Sequence, residues 1–277
     1  MRRCSGVMDK MSTSLILKAD DVKQEKCLSN RRRIAILGVN VDALNMEETV
    51  DLVEKYIETK TPLHLMGVNA DKINEAKKNL LMKKIVNSCG VINADGASVV
   101  LASKYLSKDP LSERVAGIDL MMELVLRCAE KGYKVYLLGA KQRVVEKTCK
   151  ELKKRYSGVR IVGVHDGFFR KGDWPEVSKK IKKANPDIVF VGITSPTKEY
   201  LIEYLQNAGH KEVFMGVGGS FDVISGEIRR APKWMQKCNL EWLYRMLQEP
   251  GRLFKRYFIG NTIFIARVIK ERMKGKR

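Results

Sequence analysis

Asp95 closes the run Val91-Ile92-Asn93-Ala94-Asp95-Gly96, where a short apolar, β-branched stretch gives way to Asp-Gly and then to an apolar-periodic helix from Ala97. In an α/β chain this spacing puts a carboxylate at the carboxyl end of a strand, the edge where open sheets bind their ligands. A carboxylate there can accept a proton from a substrate held above the sheet. The competing reading is a tight strand-to-helix turn, for which Asp-Gly is a favoured dipeptide. Asn69 falls at the equivalent place after the apolar run 63–68, where helix capping is the alternative to substrate contact. Arg114, in the polar loop 112–117, carries forked donors that suit a phosphate, or it is a solvated surface charge. Gly139, Gly218 and Gly219 stand where strands are expected to end, exposing backbone N–H groups, and Asp222 follows them.

The elements that must position these residues follow from hydrophobic period. Strands are expected at 34–41, 63–68, 91–94, 134–138, 159–164, 187–192 and 212–217. Helices are expected at 46–57 with Asn45 as N-cap, from Asn69 to about Ser88, after Gly96, and at 119–131, 143–156, 174 onward and 200–205. Strands alternating with helices at this spacing imply a largely parallel sheet covered on both faces, a Rossmann-like α/β fold. The GxGxxG fingerprint is missing, because Gly216-Val217-Gly218-Gly219 lacks the third glycine at the required offset, and the P-loop signature is absent as well.

The chain has 52 Lys and Arg against 32 Asp and Glu, a net charge of +20, which calls for an anionic partner. The segment from Met235 to Arg277 contributes +8, with Trp242, Tyr244, Phe254, Tyr257, Phe258 and Phe264 interleaved. That is the composition of a helix lying in a membrane interface. A C-terminal helical pair with an ordinary solvated face fits equally well. No stretch reaches the length of a membrane span. Six scattered cysteines without a CxxC pair, and three histidines without ligand spacing, predict no structural metal and suit a reducing cytosol. The expected organisation is a poorly ordered leader over 1–32, a Rossmann-like domain over 33–234 and a helical appendage over 235–277.

Taken together, the turns resemble the bacterial WecG/TagA/CpsF glycosyltransferase family from about Ile34 to Tyr257. The most specific match is Gly216-Val217-Gly218-Gly219-Ser220-Phe221-Asp222 followed by Gly226, Arg230-Ala231-Pro232, Trp234-Met235, Leu240-Glu241-Trp242-Leu243-Tyr244-Arg245, Glu249-Pro250 and Arg252. Asn93-Ala94-Asp95-Gly96, Glu113-Arg114-Val115-Ala116-Gly117 and His165-Asp166-Gly167-Phe168-Phe169 match too. The resemblance implies an inverting, metal-independent transferase without a cofactor. Such an enzyme moves an N-acetylmannosamine-type sugar from UDP to a GlcNAc-type sugar on undecaprenyl diphosphate, at the anionic inner face of the membrane. It implies Asp95 as general base, Arg114 as an active-site arginine and Asn69 near the donor sugar. Arg245 and Arg252, with the neighbouring Arg256, would then close over the diphosphate. Lys198 and Glu199 belong to the matching turn Pro196-Thr197-Lys198-Glu199.

Two positions depart from the family pattern. Gly67 replaces a threonine common two residues before the asparagine, and Lys198 replaces a glutamine that helps to position substrate. A cation at 198 would suit a carboxylated donor such as a uronic acid, the alternative being a solvated charge in a variant turn. A nucleotide-dependent oxidoreductase can share this fold, but the missing fingerprint weighs against it. A nucleic-acid-binding module should carry its charge in a groove or stripe, not as an aromatic-rich C-terminal excess, so no nucleic acid partner is expected. Association with a second copy is left open.

Overall fold

The structure is a computed structural model and describes residues 31–274; the expected leader lies almost wholly outside the described residues. Six parallel strands form one sheet in the order β4-β3-β8-β7-β5-β6. They are β3 (Leu63–Val68), β4 (Val91–Ala94), β5 (Lys134–Gly139), β6 (Arg160–His165), β7 (Ile188–Gly192) and β8 (Val213–Gly216). The central strands read as near-continuous buried apolar runs, as a sheet covered on both faces requires. Outside this sheet, β1 (Arg33–Ile36) and β2 (Val39–Asp42) form an antiparallel hairpin.

The sequence reading of 34–41 as one strand is therefore corrected. Leu37 at φ 52° and Gly38 at φ 86° make a two-residue turn with both residues left-handed, the geometry that reverses a twisted strand. The hairpin is fastened to β4 by the Asp42 carboxylate, which accepts the Ile92 N–H at 2.7 Å.

One face of the β3–β4 half is covered by α2 (Ala70–Lys78), α3 (Leu80–Ser88) and α4 (Ala97–Leu106). On the β5–β8 half, α7 (Trp174–Ala184) and α8 (Thr197–Asn207) bury Trp174, Ile181, Leu201 and Leu205 against Val189, Val191 and Phe214. Helices α1 (Met46–Glu58), α5 (Gly117–Lys131) and α6 (Gln142–Arg155) complete the body. The predicted helix from Asn69 to Ser88 breaks into α2 and α3 at Asn79. Its extended backbone (φ −118°, ψ 107°) ends one helix while its side chain caps the next at Met82 N. Asparagine disrupts helix interiors by this kind of local bonding.

After β8 come α9 (Ser220–Ile224), α10 (Lys233–Lys237), α11 (Glu241–Gln248) and α12 (Pro250–Lys274). The last helix is not a detached arm. Leu253, Phe264 and Val268 are buried, and the latter two join the core with Val68, Ile73 and Val99. On its other face Phe254, Phe258, Ile259, Ile265, Ile269 and Met273 are exposed. Among the described residues, no helix is long and apolar enough to cross a membrane.

Candidate active site

Parallel strands bring their carboxyl ends to one edge, and the chain order reverses between β3 and β8. The neighbour of β3 on one side is the next strand in sequence, and on the other side the last. Such a reversal opens a crevice at the carboxyl edge. Asn69 follows β3, Asp95 follows β4, and Gly218 and Gly219 follow β8, so these predicted residues converge there.

At Asp95 the backbone N–H is bonded to Val68 O at 2.9 Å, which ties the ends of β3 and β4 together. Asp95 Oδ1 accepts the N–H of Gly117, the first residue of α5, at 2.7 Å. A carboxylate is favoured at a helix N-terminus by the unpaired N–H groups and by the helix dipole. Among the described residues no hydrogen bond is assigned to Oδ2. Gly96 is required beside it, because a β-carbon there would meet Asn69 Cβ at 2.9 Å. Asn69 itself caps α2, accepting Lys72 N–H at 3.0 Å, so its predicted capping role is real and its position at the crevice is fixed by it.

Arg114 is half-buried. Its Nε donates to the Asp95 carbonyl at 2.7 Å and its Nη2 to Glu241 Oε2 at 3.0 Å. The guanidinium is thus held beside the candidate base and is not a solvated surface charge. From the C-terminal helices, Arg245 Nη2 reaches Gly219 O at 3.5 Å, and a β-carbon on Gly219 would lie 3.5 Å from Asp222 Oδ2. Arg245, Gly219 and Asp222 therefore sit together after β8, with Gly218 (φ 53°) preceding them. Arg252 and Arg256 lie on α12, and their side chains are outside the described set.

Lys198 and Glu199 occupy a different environment from the one the sequence suggested. Lys198 is buried, with its stem packed on Gly216, where a β-carbon would meet Lys198 Cε at 2.9 Å. The solvated alternative is thereby excluded. Glu199 is fully buried and accepts Lys72 Nζ at 2.5 Å, with Lys198 Nζ 3.6 Å away. Burial alone would push the Glu199 carboxyl up, but the two ammonium groups outweigh it and hold it at about 2. His64, buried beside this cluster, is pushed down to about 3, chiefly by burial, and stays neutral. The pair thus forms an ionic floor under the crevice between β3 and β8.

Gly139 lies farther along the edge, at the end of β5. Beside it the loop after β6 folds back, with Gly167 N–H donating to Ala140 O at 2.8 Å and Phe168 exposed at 74%. The sequence reading gave no role to Phe168, which stands exposed directly after the Asp166-Gly167 turn. It also missed Glu241 and Lys72, which matter through partners 127 residues away in the chain. No group of three or more His, Cys, Asp or Glu that could hold a metal ion occurs among the described residues.

Comparison with known proteins identifies the family. A family model described as the glycosyl transferase WecG/TagA/CpsF family matches residues 34–277. An N-acetylglucosaminyldiphosphoundecaprenol N-acetyl-beta-D-mannosaminyltransferase of Staphylococcus aureus (strain MW2) is 34% identical over 251 residues, which cover 90% of this chain and 97% of the relative. A protein of the same description from Bacillus subtilis (strain 168) is 36% identical over 209 residues, 75% of this chain and 80% of the relative.

Proposed function

The chain belongs to the WecG/TagA/CpsF family of glycosyl transferases, and on that premise we propose that it moves an N-acetylmannosamine-type sugar from a UDP carrier, with inversion, to a GlcNAc-type sugar on undecaprenyl diphosphate. The product would be a precursor of a cell-surface polysaccharide or teichoic acid. The observation that carries this reading is the placement of Asp95: a carboxylate at the sheet's carboxyl edge, held by the Gly117 N–H at 2.7 Å and flanked by Arg114.

In the proposed reaction the acceptor hydroxyl attacks the anomeric carbon of the donor. Asp95 takes the hydroxyl proton as the new C–O bond forms and the bond from the anomeric carbon to the diphosphate breaks. A base in this place contributes typically 10²–10⁴-fold, roughly. Negative charge then develops on the departing UDP, and fixed positive groups aimed at it lower the barrier. Arg114 and Arg245 are the described candidates for that task, with Arg252 and Arg256 on α12. The exposed Phe168, next to Gly167 where the loop packs on Gly139 at the end of β5, suits a nucleoside.

The lipid-linked acceptor accounts for the C-terminal surface. Leu247, Phe254 and Phe258 are all more than half exposed within the segment of net charge +8, and so is Trp234 just before it. Phe254 and Phe258 stack in parallel at 5.5 Å. Exposed aromatics among cations suit the anionic interface of a bilayer, and α11, which contributes Trp242 and Leu247 to this surface, reaches Arg114 through Glu241. In this reading the protein works on the cytoplasmic face of the membrane without spanning it.

The test is UDP release from a panel of UDP-sugars with a short-chain prenyl-diphosphate GlcNAc acceptor, followed by the anomeric configuration of the product. Release with one donor and an inverted product is expected; release that is independent of the lipid-linked acceptor overturns the reading. The panel includes UDP-ManNAc and its uronic acid counterpart. Preference for the acidic sugar would assign the Lys198 charge to the donor, and preference for the neutral one would assign it to Glu199.

A further inference from the structure

The helix that carries part of the exposed aromatic surface also grips the arginine of the candidate site. Glu241 opens α11. Its Oε2 accepts from Arg114 Nη2 at 3.0 Å and its Oε1 from Arg230 Nε at 3.4 Å, while Arg230 Nη2 reaches Asp119 at 2.7 Å. The Glu241 side chain is 12% exposed, so this pair lacks the full solvent screening that makes surface ion pairs weak. Burial works to raise the Glu241 carboxyl, and the contacts with Arg114 and Arg230 reverse that and hold it below its ordinary value. It therefore stays ionised where Arg114 needs it.

Arg114 is fixed at two points, by the Asp95 carbonyl on Nε and by Glu241 on Nη2. Two contacts on a planar guanidinium set both its position and its plane. Three of its five N–H groups have no described protein acceptor and are available to a substrate oxygen. The next residue along α11, Trp242, is exposed. A displacement of α11 at a bilayer surface would therefore be felt at Arg114 through one carboxylate.

We infer that Glu241 is a positioning residue, through which α11 clamps Arg114 against the residue that bears the base. The inference rests on Asp95 and Arg114 as the reaction centre and goes beyond it, because Glu241 acts through Arg114 and not on substrate. Its two arginine partners come from separate segments, and this convergence is hard to explain as a solvated helix start.

A double-mutant cycle in the full chain, assayed with anionic phospholipid vesicles carrying the prenyl-diphosphate acceptor, tests it. Glu241→Gln should lower kcat about tenfold to a hundredfold, the scale of a misplaced active-site group. The donor KM should change less than about threefold and vesicle binding should not change. In an Arg114→Ala background, Glu241→Gln should lower kcat no further, since residues acting through one contact are not additive. Additive losses overturn the inference, and so does loss of vesicle binding in Glu241→Gln. The same cycle read on urea midpoints needs no activity: coupling between the two positions supports the clamp, and additivity removes it. An inactive wild type with coupled midpoints would thus count against the proposed reaction and not against the clamp.

Discussion

Glu199→Gln should be among the most destabilising single substitutions at the carboxyl edge, although it removes only a charge. The native carboxyl is held at about 2 against an ordinary 4.5. At about 1.4 kcal/mol for each tenfold change in proton affinity, that gap is worth on the order of 3 kcal/mol. Breaking a buried ion pair by removing one partner costs roughly 3–5 kcal/mol, so the two routes agree. Burial of Glu199 and its 2.5 Å contact with Lys72 leave little solvent to soften the loss. Because the native carboxyl binds its proton more weakly than the unfolded one, its contribution is complete above pH 4.5 and is lost as pH falls towards about 2. Urea unfolding at neutral pH should therefore show a loss of about 3 kcal/mol in Glu199→Gln, and part of the acid sensitivity of the wild type should vanish in the variant. Lys72→Met/Glu199→Gln should recover some of the loss, because one unpaired buried ammonium is removed. A cost below about 1 kcal/mol, or an unchanged acid profile, would refute the assignment of a buried, ionised Glu199.

Other outcomes separate the faces of α12 and the neighbours of the base. Phe264→Ala should cost about 3 kcal/mol or more in urea unfolding, as truncation of a buried phenylalanine does, whereas Phe258→Ala should stay within about 0.5 kcal/mol. Phe254→Ser/Phe258→Ser should weaken sedimentation with anionic vesicles while leaving the unfolding midpoint nearly unchanged; unaltered sedimentation would remove these side chains from the interface. Gly67→Thr should slow turnover, because a β-carbon at 67 meets Asp95 Cβ at 3.2 Å and the base must shift; an unchanged kcat would show that the loop yields without moving the carboxylate.

The alternation of apolar runs with 3.6-period segments made the parallel sheet legible, since the central strands are buried on both faces and the helices that cover them on one. Strand ends placed Asn69, Asp95 and Gly218 at one edge without any contact being known. The sequence hid what depends on pairing across the chain. Lys198 reads as a surface charge until the fold brings Lys72 and Gly216 to it, and Glu241 reads as one of few acids in a basic tail until Arg114 and Arg230 meet it. Period alone also failed where one residue outweighed it: Asn79 breaks a continuous helical pattern by capping, and Leu37-Gly38 turns a strand-like run into a hairpin. In α12, composition announced an amphipathic helix but not which apolar residues face the core.

Asp95→Asn, assayed for sugar transfer beside donor binding and thermal unfolding, tests the central claim most directly. Asparagine keeps an oxygen for the Gly117 N–H, so the midpoint should move by only a few degrees, about 2–4 °C for each kcal/mol lost. Donor binding should persist while transfer falls by about 10²-fold or more, because the amide cannot take the hydroxyl proton. A folded variant that keeps most of its transfer would contradict the assignment of Asp95 as the base.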